Sequence, residues 1–188
     1  AVELADRIAD PFSQTFAALG AGFLHLSLGE PTLAINWLER ARERAVQADA
    51  EYMLPLPGGF LGMAYVMSGE PGKAIALLEQ VIRQAEVIGF RAGHPYRLAA
   101  LARACLAAGR TGDAVALATD AERMAREQGE LFSLATALCV LAEAAPHAPA
   151  GSLSAKTYLL RALELARRHG MAPTEQACVT ALAQLSTE

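Results

Sequence analysis

Four histidines, three cysteines and a scatter of charged side chains are the groups from which this chain would have to build any chemistry. A zinc site needs ligands gathered at short helical spacing or in a knuckle. His25, His94, His147 and His169 each lack another His or Cys three or four residues away. Cys105, Cys139 and Cys178 lie far apart, with neither a metal spacing nor a dense disulfide framework. They read as small buried residues of a reduced, cytoplasmic protein. His169 falls in the last turn before Gly170, where a cation suits the helix dipole. His94 precedes Pro95 and reads as a loop or helix entry. No Gly-x-Ser-x-Gly elbow and no Gly-x-x-x-x-Gly-Lys-Ser/Thr loop occurs. Gly20-Ala21-Gly22 and Gly58-Gly59 have no preceding strand, so they read as helix packing rather than a phosphate cradle. This inventory points to a binding protein, not an enzyme, with no metal and no cofactor.

The elements that would position these groups are set by a repeat of 40 residues. Gly29-Glu30-Pro31, Gly69-Glu70-Pro71 and Gly109-Arg110-Thr111 recur at that step. Ala34, Ala74 and Ala114 follow, with a fourth copy one residue late at Ala155. Eight residues before each turn glycine stands a pair, Ala21-Gly22, Leu61-Gly62 or Leu101-Ala102, found again at Leu141-Ala142 and Leu182-Ala183. A fixed period in this range marks a stacked repeat protein.

Each period predicts two antiparallel helices. In the second copy an apolar stretch ends at Gly69, which suits a left-handed cap, and Pro71 suits the first turn of a new helix. From Pro71 onward, Ala74, Leu77, Leu78, Val81 and Ile82 are spaced by three and four. The full reading is helices at roughly 1–9, 13–28, 31–49, 57–68, 71–88, 95–108, 111–128, 131–145, 154–169 and 172–186. The small residues of the seam pairs belong where two helices approach most closely. Trp37 reads as core or helix-interface packing.

Hydrophobic residues make up 53% of the chain and net charge is −4, with no basic block. Nothing suggests a nucleic-acid surface. Residues 11–29 and 52–69 contain no Asp, Glu, Lys or Arg, but polar residues and prolines interrupt both. They read as repeat core, not as membrane spans. Charges collect on the second helix of each pair with both signs interleaved, which predicts a solvated outer face. The first helices, almost free of charge, are expected to line the inner curve and to be covered by neighbours, a partner or a ligand. Register places Phe16, Leu56, Tyr96 and Thr136 on that curve, then Leu19, Gly59, Ala99 and Cys139, then Phe23, Met63, Arg103 and Glu143, with Arg97 near the same face. The candidate groove is therefore Phe16, Leu19, Phe23, Leu56, Met63, Tyr96, Arg97, Arg103 and Glu143. Arg103 and Glu143 either pair with each other, face a ligand or are simply exposed.

The seam pair, the turn glycine eight residues on and the alanines of the second helix resemble the tetratricopeptide repeat. The longer period is similar to the repeats of the maltose-regulon transcription activator. Leu141 to His147, Ala155 to Tyr158, Ala162 to Ala166, Gly170 to Pro173, Ala177-Cys178 and Leu182 resemble the carboxyl-terminal repeats of large bacterial adenylate/guanylate cyclase-type ATPases. The resemblance implies a sensory or protein-interaction region within a signalling protein. Neither the nucleotide-binding loop nor a cyclase motif is present, so that family's chemistry does not carry over.

The fold expected is an all-α, right-handed solenoid of antiparallel, tetratricopeptide-like hairpins in one domain, 1–188. Its repeats are 11–50, 51–90, 91–129 and 130–170, with half repeats at 1–10 and 171–188. The chain begins without Met and in mid-repeat, which is the pattern expected of a piece from a larger solenoid. The function expected is protein–protein interaction or scaffolding in a bacterial regulatory protein. The alternative is a superhelical groove that senses a small ligand and controls an attached ATPase, cyclase or transcription module. The expected partner is a protein or a neighbouring domain of the parent chain. Self-association is also expected, through Ala177, Val179, Ala181, Leu182 and Leu185 of the closing helix.

Overall fold

A computed structural model describes residues 2–8, 10–148 and 151–186. Among them the regular structure is helical. It comprises α1 (Val2–Ile8), α2 (Pro11–Ser27), α3 (Pro31–Gln47), α4 (Pro55–Met67), α5 (Pro71–Val87), α6 (His94–Ala107), α7 (Thr111–Gln128), α8 (Leu131–Ala144), α9 (Ala155–His169) and α10 (Ala172–Leu185), with single 3₁₀ turns at Glu51–Met53 and Ala145–His147. The chain folds as an all-α solenoid. Consecutive helices pack as hairpins, and α2, α4, α6 and α8 also pack side by side into one continuous layer.

Local chemistry sets the helix ends. The first helices stop in the same way in three copies: the backbone N–H of Glu30, Glu70 and Arg110 reaches back to the carbonyl of His25, Tyr65 and Cys105. This six-to-one bond requires the preceding residue to be left-handed, and Gly69 there has φ +79°. Two helices start two residues earlier than the sequence suggests. At α2 the Ser13 N–H donates to Asp10 Oδ2 at 2.8 Å, and Pro11 takes the first helical position. At α4 the 3₁₀ turn delivers the chain to Pro55, and both Pro55 and Pro57 are buried in the first turns. Of the first expected helix, 1–9, positions 1 and 9 lie outside the described residues.

The second helices bury one narrow stripe apiece. In α3 it is Ala34, Leu38, Ala41 and Ala45, in α5 Ala74, Leu78, Val81 and Ala85, and in α7 Ala114, Ala118, Ala121 and Ala125. The spacing of four, three and four is one face of a helix. The first helices α4, α6 and α8 are buried far more widely, as layers between two neighbours must be, whereas α2 at the edge of the layer buries four residues. The seam is tight where glycine stands. A Cβ on Gly22 would fall 2.5 Å from Leu38 Cγ, and one on Gly62 would fall 2.4 Å from Leu78 Cγ. In the third copy the glycine is Ala102 and the opposing leucine is Ala118, packed in one cluster. Large and small residues thus trade places across the seam while the helices stay close. Trp37 is half-buried, with the Arg40 guanidinium 5.2 Å from its ring centre.

Candidate functional site: the inner groove

The layer of first helices forms the floor of a groove of about 530 Å³, and α10 stands as a wall against it. Phe23 and Leu26 of α2, Met63 and Met67 of α4, Tyr96 and Arg103 of α6, and Phe132 to Glu143 of α8 contribute to the floor. Leu159 of α9 and Ala177, Ala181 and Leu185 of α10 close the other side.

Four rings cross the floor as a diagonal ridge. Phe23 meets Phe60 edge-on at 5.2 Å, Phe60 meets Tyr96 at 4.8 Å, and Tyr96 stacks on Phe132 at 5.4 Å. Phe132 also reaches Phe23, at 5.6 Å, so ring side chains from the first and fourth of these helices meet across the curve of the solenoid. The diagonal follows from the sequence. These four residues are separated by 37, 36 and 36 positions, so each ring sits about one helical turn earlier in its repeat than the last. Burial pushes the Tyr96 phenol up, so it is a neutral hydroxyl at physiological pH.

Beside the ridge lies an ion pair. Arg103 Nε donates to Glu143 Oε2 at 3.2 Å, and Nη2 donates to Oε1, a two-pronged arrangement between adjacent inner helices. The third guanidinium nitrogen, Nη1, points at Met63 Sδ, 3.9 Å away. Of the sequence alternatives, the pairing is what the structure shows, and the pair lines the groove. It gives the groove a fixed polar feature without net charge.

The third feature is a pair of sulfurs. Cys139 of α8 and Cys178 of α10 sit with Sγ atoms 3.8 Å apart. Cys139 is half-buried at the groove and Cys178 lies fully buried beside it. Their hydrogen bond lets one thiolate lean on the other's S–H. The pair therefore gives up its first proton below the ordinary thiol range and its second above it.

Of the nine residues expected in the groove, Phe23, Met63, Tyr96, Arg103 and Glu143 line it. Phe16 stands apart, stacked edge-on against Phe12 at 5.1 Å. Leu19 packs half-buried on the main core, and Leu56 is half-buried near the start of α4. Arg97 departs from the expectation. It is 1% exposed and turned away from the groove. Its Nη1 and Nη2 donate to the carbonyls of Ala92 and Phe90 at 2.8 and 3.1 Å, and the Phe90 ring lies 5.7 Å from its guanidinium carbon. Arg97 ties down the loop between α5 and α6. Burial pushes it down to about 10, partly offset by nearby Glu130, which itself accepts from Gly93 N–H and Ser133 Oγ.

Sequence reasoning missed Phe60, Phe132 and the whole of α10. The rings were visible as a step of 36 or 37 residues beneath the period of 40, and α10, the first helix of the repeat after α8, lies beside α8 by the repeat register itself. Among the described residues no group of three or more His, Cys, Asp or Glu is placed to hold a metal, and no helix is long and apolar enough to cross a membrane.

Two solved structures share this architecture. The nearly identical TPR-like repeats of a kinesin light chain-like protein from Podosopora anserina superpose with a TM-score of 0.50 at 20% identity, covering 90% of this chain and 93% of that one. A point variant of the same repeats gives a TM-score of 0.50 at 20% identity, over 89% and 92%. No family model and no curated protein matches this sequence. The likeness establishes the tetratricopeptide-like fold.

Proposed function

We propose that this chain is a protein-interaction domain that grips an apolar segment of a partner in its inner groove. The groove's lining carries the reading: a concave surface of about 530 Å³, dominated by Phe, Met, Leu and Ala, with one neutralised ion pair to fix orientation. Aromatic and methionine side chains are the groups that dominate protein–protein recognition. The groove is open, as a segment that continues past its ends requires. The volume also falls in the range of small-molecule pockets, and this favours, as a second reading, a sensor for a small apolar ligand. We further assign the domain to a cytoplasmic, bacterial regulatory protein that carries an ATPase, cyclase or transcription module elsewhere. The resemblance between Leu141 and Leu182 supports that assignment.

The test is selection of binders from a random peptide library. Selected peptides should share apolar anchors. Thr136→Arg, which sets a long charged side chain on the groove floor, should weaken them about tenfold or more. Arg123→Ala, on the outer face beside Glu127 and Asp120, should leave binding unchanged. Peptides that bind both variants as well as the wild type would overturn the reading. Failure to enrich any peptide, with a small apolar compound stabilising the wild type but not Thr136→Arg, would select the sensor instead.

A further inference from the structure

We infer that Cys139 and Cys178 are a modification site: a reversible disulfide that fastens α10, the wall of the groove, onto α8.

The geometry is that of a bond nearly made. The two sulfurs are 3.8 Å apart and in direct contact. A disulfide needs about 2.05 Å, so closure asks for a movement of under about 2 Å, shared between two χ1 rotations and a small slide of α10. Among the described residues of α10, Cys178 alone is buried, whereas nine residues of α8 are. The helix is otherwise held by half-buried Ala181 and Leu182 and by an exposed ion pair, Arg167 Nε to Glu175 Oε1 at 2.9 Å. So the sulfur pair lies at the one deep anchor of the most loosely held wall. A cross-link there restrains a helix that otherwise opens easily. Cys105 plays no part; it is buried in the core among Leu101 and Ala104.

Access sets the order of events. Both sulfurs border the groove, but Cys139 keeps some solvent exposure whereas Cys178 is 0% exposed. The oxidant is a low-molecular-weight disulfide of the glutathione class. The pair loses one proton, first from Cys178; Cys139 then passes its own proton across the hydrogen bond to Cys178 as the Cys139 sulfur attacks one sulfur of the oxidant. The oxidant's S–S bond breaks, and one glutathione thiolate leaves. Cys178 then gives up its proton and attacks the Cys139 sulfur, and the second glutathione thiolate leaves. Two protein thiols are oxidised by two electrons, one glutathione disulfide is reduced to two thiols, and both protons end on the products. The inference does not depend on what occupies the groove.

The experiment treats the full chain with oxidised glutathione, blocks remaining thiols with an alkylating reagent, and maps peptides by mass. Cys139 and Cys178 should appear as one cross-linked pair, with Cys105 alkylated. Amide hydrogen exchange in α10 should slow about tenfold or more, and dithiothreitol should restore it. Cys105→Ser should behave like the wild type. Cys139→Ser, at the half-buried position, should keep the fold and abolish both the cross-link and the slowing. A glutathione adduct that persists on Cys139, cross-links between two chains, or an internal cross-link with unchanged exchange in α10 would each overturn the inference.

Discussion

Of the helices that form the floor of the groove, α4, α6 and α8 bury eight, nine and nine residues and α2 buries four, while α10 on the opposite wall buries Cys178 alone. The floor is packed on both flanks by neighbouring hairpins and pinned across its width by four touching rings. The wall packs on α9 and touches α8 through Cys178, Ala181 and Leu182. A rigid floor presents a fixed pattern of rings and one ion pair, which favours selectivity because little ordering is needed on binding. A lightly anchored wall can adjust to the thickness of an occupant, and local opening costs least where burial is least. The same repeat chemistry thus yields a deeply buried layer on one side and a lightly buried helix on the other.

The comparison breaks most visibly at the seam leucines. Leu61 and Leu182 occupy the same place in their repeats, but Leu61 is 0% exposed in the main core and Leu182 is only half-buried on α10. Leu61→Asp should cost about 4 kcal/mol or more and leave the domain largely unfolded, because a lone carboxylate would be buried. Leu182→Asp should cost about 1 kcal/mol and loosen α10 alone. Denaturant unfolding with circular dichroism separates these outcomes. Equal losses would mean that the wall is as firmly built as the floor.

A smaller effect sharpens the account of the floor. Gly62→Leu should cost about 3 kcal/mol, because its Cβ alone would press on Leu78 Cγ. The third repeat suggests the remedy. Gly62→Ala combined with Leu78→Ala copies the Ala102 and Ala118 arrangement and should be milder than Gly62→Ala alone. Gly109→Ala, with nothing near its Cβ but φ at +76°, should cost about 1 kcal/mol. A Gly109→Ala more damaging than Gly62→Leu would refute the close approach.

The smallest expected effect is a gain. Asp49 has φ +50° at the end of α3, where later copies place Gly89, Gly129 and Gly170. In all four copies the next residue's N–H closes the helix with the same six-to-one bond. Asp49→Gly should therefore add about 0.5 kcal/mol, seen as a slight rise in the unfolding midpoint.

Much of this arrangement was legible in the sequence, because repeats fix register. The 40-residue step located the hairpins, the seam glycines and the buried stripe of the outer helices. It also identified Phe23, Met63, Tyr96, Arg103 and Glu143 as inward-facing. Arg97 was misplaced because register alone does not reveal a guanidinium held by two loop carbonyls. Phe60 and Phe132 were overlooked because comparing identical phases hides a feature that slips one turn per repeat. The meeting of Cys139 with Cys178 was overlooked although the two stand 39 residues apart on the first helices of consecutive repeats, the same near-40 step that joins Arg103 to Glu143, because α10 was read only as an exposed closing face.

The most direct test of the groove is hydrogen exchange measured helix by helix, with and without a peptide selected for binding. The account predicts protection in α4, α6 and α8 around Met63, Arg103 and Thr136, with the largest relative change in α10. Outer helices α3, α5 and α7 should stay as they were. Protection confined to the outer helices, with exchange in α8 and α10 unchanged, would contradict it.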